Sequence, residues 1–344
     1  MLNLKSFLLA LVVFIIAGCG NDGGGSTASV SETVAAGYNS NGTTDVACYW
    51  VGTTRTDLGD GTHSSMALAA QKVNGTVYTA GVYKNDAGVT IPCYWVGTTK
   101  IDLAGDGTHT AVATGIFVAN GTVYTSGYYN DGTKDIPCYW TGTTRTDLAG
   151  DGTHRADASA IYVANGTVYT AGFYYNGTTN ISCYWAGTTK TDLPVGTGTS
   201  ALVTAITVSG GTVYTAGSYY DGTKRVPCYW AGTTKTDLPG DGTNEASAAS
   251  IAVSGGTVYT SGSYYNGTTS IPCFWTGTTK TDLANDGTHE AAAEVITVSG
   301  GTATAYGFYD NGTVTRPCSW TGATRTDLGI GTYEGAIVSI FTLK

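Results

Sequence analysis

Seven cysteines stand at positions 48, 93, 138, 183, 228, 273 and 318, each 45 residues after the last, and each is followed two positions later by a tryptophan, Trp50 to Trp320. A register held over seven copies without insertion means one supersecondary unit repeated. A Gly- and aromatic-rich period of this length is the mark of a β-propeller, with one small sheet per unit. Composition agrees: 50 Gly and 24 Tyr in 344 residues, and 12% charged residues where about 25% is usual, exclude a coiled coil or a solvated acidic tail.

Each unit divides into four runs. In the third full copy Ala156 to Ala164 is apolar and small, and Asn165-Gly166 follows; Asn-Gly between such runs favours a type I′ hairpin, whose two central residues need positive φ. Thr167 to Tyr175 is the second strand, closed by Asn176-Gly177. Asn180 to Trp185 is the third, Thr188 to Leu193 the fourth, and a loop of LAGDGTH type crosses to the next unit. The Asn-Gly-Thr triplets are read as hairpin turns and not as glycosylation acceptors.

The two ends hold complementary pieces of one unit. The chain enters the array in a second strand, Val34 to Tyr38, and ends in a first strand, Ala336 to Lys344. An open solenoid has no use for such complementarity. The expectation is an all-β, seven-bladed β-propeller over residues 34–344, with four-stranded antiparallel blades and a ring closed by the C-terminal strand.

Sterics place the strands radially. The Ala/Ser/Gly-rich first strand belongs at the crowded axis. The fourth belongs at the rim, where Arg55, Lys100, Arg145, Lys190, Lys235, Lys280 and Arg325 would keep sheet edges from pairing with other chains. Tyr and Trp of the PCYW-type runs point to opposite faces of a strand covered on both sides, so both are expected in the core. The cysteines, one per blade and odd in number, are expected as buried free thiols. No CxxC pair suggests zinc.

Residues 1–18 carry one basic residue, Lys5, and an apolar run from Phe7 to Ala17, the pattern of a secretory signal. The ending Ile16-Ala17-Gly18-Cys19 resembles the bacterial lipobox, which implies cleavage before Cys19 and a lipid on its sulfur, with 19–33 as a flexible tether. Gly20 in place of Asp implies the outer membrane of a bacterial cell envelope. The only membrane contact expected is this anchor.

The formal charge of −9 and the lack of a basic run exclude nucleic acid as a general partner. The crossing loops and the second-to-third hairpins should emerge on one face of the disc. That face collects Asp60, Asp106, Asp151, Asp241 and Asp286, and all four histidines, His63, His109, His154 and His289, one residue after the Gly-Thr of the same turns. Two readings stand: carboxylates bonded to their own turn backbone, or a ring of sites for a cation such as calcium or a hydroxyl-rich ligand. One step on, the repeats diverge as Ser64, Thr110, Arg155, Ser200, Glu245, Glu290 and Glu334, so the Glu245, Glu290, Glu334 arc is the first place to look for a specific site.

The units resemble bacterial secreted propeller repeats of the form VYxAGYYxNG…CYWxxGTxxxDL, carried here by TVYTAGFYYNGTTNISCYW and AGTTKTDL. That resemblance implies fold and export, and no activity. Neither the WD40 nor the kelch pattern fits, and no hydrolase triad, HExxH or nucleotide-binding motif appears. The leading expectation is a non-catalytic, monomeric, lipid-anchored module that binds or scaffolds a glycan or protein, with no resident cofactor or metal. The alternative is a propeller enzyme acting on polysaccharide through carboxylates of the same face.

Overall fold

The computed structural model describes residues 33–40, 42–52, 54–313, 315–328 and 335–342. The signal segment, Cys19, the tether as far as residue 32, Tyr333 and Glu334 lie outside them, and Thr33, expected as the end of the tether, is the first residue of a strand. Among the described residues 28 strands form seven four-stranded sheets, a seven-bladed propeller. Blade 4 is typical: Ala156–Ala164, Thr167–Tyr175, Asn180–Ala186 and Thr189–Asp192 lie side by side in chain order, all antiparallel. The third strand runs one residue past the expected Trp185. Blade 1 is assembled from both ends of the chain, with Gly335–Thr342 paired antiparallel to Thr33–Ser40. The first strands of successive blades touch one another around the axis, and the fourth strands form the rim.

Turn chemistry sets the hairpins. Asn165 and Gly166 adopt φ of 49° and 76°, and Gly210 and Gly211 in blade 5 adopt 55° and 79°. Glycine enters this left-handed region without steric cost, which is why Gly-Gly replaces Asn-Gly there. A second glycine is demanded by packing. The first strand of each blade shifts register near its middle, between Ala158 and Ala160 in blade 4. The bulge presses the carbonyl of Asp157 against Gly172, where any Cβ would overlap it, and blades 2 to 7 share this contact.

Tryptophan joins the blades. Six of the seven, Trp95 to Trp320, are at most 1% exposed. Each donates its indole N–H to a carbonyl that follows the fourth strand of the preceding blade, from Trp95 to Leu58 through Trp320 to Ala284, at 2.8–3.1 Å. The tyrosines of the same motif depart from expectation. Tyr94 and its counterpart Phe274 are buried, whereas Tyr49, Tyr139, Tyr184 and Tyr229 are half-buried and blade 7 has Ser319. Their rings pack against the core clusters while the residues keep contact with water, as an amphipathic phenol can.

The rim charges are paired, and most of the cations among them are half-buried rather than fully exposed. In blade 4 Lys190 Nζ lies 3.5 Å from the centroid of the Tyr174 ring and 3.3 Å from Asp192, and the Tyr174 hydroxyl donates to Asp192 at 3.0 Å. The same Tyr, Lys/Arg and Asp set recurs in blades 2 to 7. A cation held over an aromatic face caps the outer edge and shields the strand beneath it.

All seven array cysteines are free and buried. Burial raises their thiol pKa, for Cys48 to about 12, so almost no thiolate exists at neutral pH to react. Thiol titration of the native chain should therefore label none of the seven promptly, and denaturation without reductant should release all seven. Fewer than seven after denaturation would show that disulfides had formed.

Candidate functional site

In blades 1, 3, 4 and 5 the second-to-third hairpin meets the crossing loop to the next blade on one face. Thr44 Oγ1 donates to Gly61, Thr179 Oγ1 donates to Thr199, and the ammonium groups of Lys134 and Lys224 reach the carbonyls of Gly152 and Gly242. Over these blades the face is a surface of interlocked turns carried on packed sheets.

Within it the Asp and His residues work for the turns. Oδ1 of Asp106, Asp151 and Asp286 accepts two successive backbone N–H groups, and Oδ2 meets His109, His154 and His289 Nδ1 at 2.5–2.6 Å. These bonds hold the carboxylates well below their ordinary pKa, chiefly through the histidine contact, and the bond from Asp286 raises that of His289. Each imidazole then lies over a hairpin glycine of its own blade: His109 on Gly132, His154 on Gly177 and His289 on Gly312. In blade 6 Asn244 replaces histidine and gives Asp241 the same bond at 2.7 Å, with Asp241 held down at about 2. An amide that cannot titrate serves as well as an imidazole, so what this position requires is a hydrogen-bond donor. Asp60 accepts from Thr62, and His63 instead reaches Asp86 at 3.2 Å. Blade 5 has Gly196 in place of the aspartate and closes its loop through the backbone.

Glu245 and Glu290 sit at equivalent places in adjacent blades, exposed at the entrance to the first strand, where their backbone carbonyls accept from Tyr265 and Asp310. Their partner in the sequence arc, Glu334, is outside the described residues. No group of three His, Cys, Asp or Glu side chains that could hold a metal occurs among the described residues.

The blades also differ in the grooves beside this face. At one register position the first and second strands bring two side chains face to face: Met66 with Val82, Val112 with Tyr128, Asp157 with Phe173, Leu202 with Ser218, Ser247 with Ser263, and Ala292 with Phe308. Of these six pairs, that of blade 6 alone consists of two small hydroxyl residues. A cleft of about 490 Å³ opens there, between the hairpin of blade 5 and the strands of blade 6. Arg225, Glu245, Ser247, Ser263, Tyr265 and Ser270 line it. Tyr265, at 43%, is the most exposed large hydrophobic residue described. Of these only Glu245 stands out in the sequence. The others can be found only by comparing facing pairs across the repeats.

Two further carboxyls escape a reading confined to the loops. Asp157 lies in the blade 3–4 groove, where its Oδ1 is buried without a hydrogen-bond partner, and burial, then the charge of Asp135, raises its pKa to about 7. Burial lifts Glu294 on the first strand of blade 7 to about 7.

No protein-family model matches the chain, and no curated protein matches it. Solved structures do. It is similar to a puromycin-hydrolysing peptidase of Mycobacterium tuberculosis (10% identity, TM-score 0.54), where the match covers 83% of this chain and 48% of that one, so the chain spans about half its length. It is also similar to the β-propeller domain of the Trilobed protease from Pyrococcus furiosus (8% identity, TM-score 0.52, covering 84% and 88%). That domain is described as having an open velcro topology, whereas here the first and last strands pair. Aleuria aurantia lectin is a more distant likeness (11% identity, TM-score 0.41, covering 79% and 94%). At such identities the likeness establishes the propeller fold and nothing about activity.

Proposed function

We propose that the chain is a binding module of a bacterial cell envelope, held by a lipid on Cys19, that presents its loop-and-hairpin face to a glycan or protein ligand. The observation that carries this reading is the contrast within that face. One backbone recurs from blade to blade and the same aspartate clasp closes the loops entering blades 3, 4, 6 and 7, while the residue entering the first strand changes from Ser64 to Thr110, Arg155, Ser200, Glu245 and Glu290. A rigid frame with variable residues at its loop ends is the arrangement of a recognition surface. The lipobox-like Ile16-Ala17-Gly18-Cys19 supports the anchor and an outer-membrane address.

An array of envelope glycans and envelope proteins probed with the full chain tests the reading. Binding to one class, weakened by changes on this face and unaffected by changes to the opposite Asn-Gly and Gly-Gly turns, is expected. Release of reducing ends from a polysaccharide would replace it with the enzymatic alternative, which needs two carboxyls about 5–9.5 Å apart around the bond. In the same preparations Cys19→Ser should leave the protein soluble, and its retention in membranes after a high-salt wash would rule out the lipid anchor.

A further inference from the structure

Resting on the binding-module reading, we infer that the cleft between blades 5 and 6 is the ligand site and that it takes a neutral pyranose unit of a glycan, held by a vicinal pair of hydroxyls. Its volume, about 490 Å³, lies within the roughly 300–1,000 Å³ of small-molecule sites. The space exists because Ser247 and Ser263 face each other across the strand pair, where blades 4 and 7 insert Phe173 and Phe308.

The lining selects the ligand by its hydrogen-bonding needs. Arg225 offers only donors, Glu245 only acceptors, and the three serines offer both. Arg225 and Glu245 are exposed and, among the described residues, form no ion pair with each other or with another side chain, and Ser247 and Ser263 are half-buried where they line the cleft. A vicinal diol matches this set, one oxygen accepting from the guanidinium while its neighbour donates to the carboxylate. A purely anionic group would satisfy Arg225 and meet Glu245, and a purely cationic one would do the reverse, in a chain already at −9. Tyr265 supplies an exposed aromatic surface at the same cleft, on which the C–H face of a sugar ring can lie. Lys224, tied to the Gly242 carbonyl, fixes the hairpin of blade 5 against the loop of blade 6, so the two walls are held before any ligand arrives.

The test is titration of the full chain in detergent with methyl glycosides and short oligosaccharides of neutral hexopyranoses, with glucuronate and glucosamine as charged arms. Neutral sugars are expected to bind. Ser263→Phe, which places in blade 6 the residue blades 4 and 7 already accommodate, should weaken them about tenfold or more with an unchanged thermal midpoint. Arg225→Gln and Glu245→Gln, at the solvated rim where folding is not in question, should each cost about tenfold, the loss of one charge-assisted hydrogen bond. Wild-type affinity in all three variants overturns the assignment of the cleft. So does binding of the charged sugars alone, or of a protein alone; in the last case the module stands and the sugar site falls. Failure of every glycan and protein in the array removes both readings.

Discussion

Deleting residues 336–344 should yield a chain that fails to accumulate as a soluble monomer. The lost segment is nearly all of the innermost strand of blade 1, which pairs with Thr33–Ser40 along seven residues and touches the first strand of blade 2. Without it Val34, Ala35 and Ala36, all at most 1% exposed in the intact ring, lose their cover. Thr33–Ser40 becomes an open edge beside an apolar face, the arrangement that invites pairing with another chain. Nothing local compensates, because blade 1 holds only the remaining three strands. Supplying residues 333–344 as a separate peptide during refolding should recover part of the soluble fraction. A monomeric truncated protein with an unchanged thermal midpoint would refute closure by this strand.

Thermal stability should peak on the acid side, at about pH 4–5, and fall by a few kcal/mol as the pH rises to 8. In the unfolded chain Asp157 and Glu294 ionise near pH 4, whereas in the fold both keep their protons to about pH 7. Between these values the folded state binds more protons, so raising the pH favours unfolding, and the loss is complete once both groups are ionised in either state. Each unit of displacement is worth about 1.4 kcal/mol, which sets the order of magnitude. The turn aspartates act in the opposite sense. Asp241, held down at about 2, stabilises the fold above pH 4 and loses that contribution as the pH falls toward 2. Calorimetry from pH 3 to 8.5 should therefore trace an asymmetric dome. Asp157→Asn and Glu294→Gln should each flatten its alkaline side and raise the midpoint at pH 8. An alkaline slope equal in wild type and double variant would show that neither carboxyl is strained by burial.

The blade count, the strand order and the closure are legible in the chain because each rests on neighbours in sequence or on a strict period. Asn165-Gly166 writes its own turn through positive φ, and the Cys-to-Trp spacing of two places both on one face of a strand. The groove is different. Ser247 and Ser263 are sixteen positions apart, and nothing near either marks it as special. They meet because the hairpin register and the bulge at Ala248 and Ser250 bring them opposite each other, and their small size matters only because Phe173 and Phe308 fill the same place elsewhere. Asp157 likewise reads as one polar residue in a small-residue strand until blade 3 closes over it.

The sequence by itself determined the ring: seven units, four strands in each, a last strand that completes the first blade. Short-range sterics and repeat spacing dictate those features, and neither depends on what lies across a groove. Only the tertiary structure decided the fate of the polar residues. Asp106, Asp151 and Asp286 are spent on backbone N–H groups and histidine, half-buried Asp157 has one carboxylate oxygen shut away without a hydrogen bond, and the side chains of Glu245 and Arg225 have no ion-pair partner among the described residues. A side chain's chemistry follows from how much water and how many donors surround it, and in this fold those surroundings are supplied by the adjacent blade.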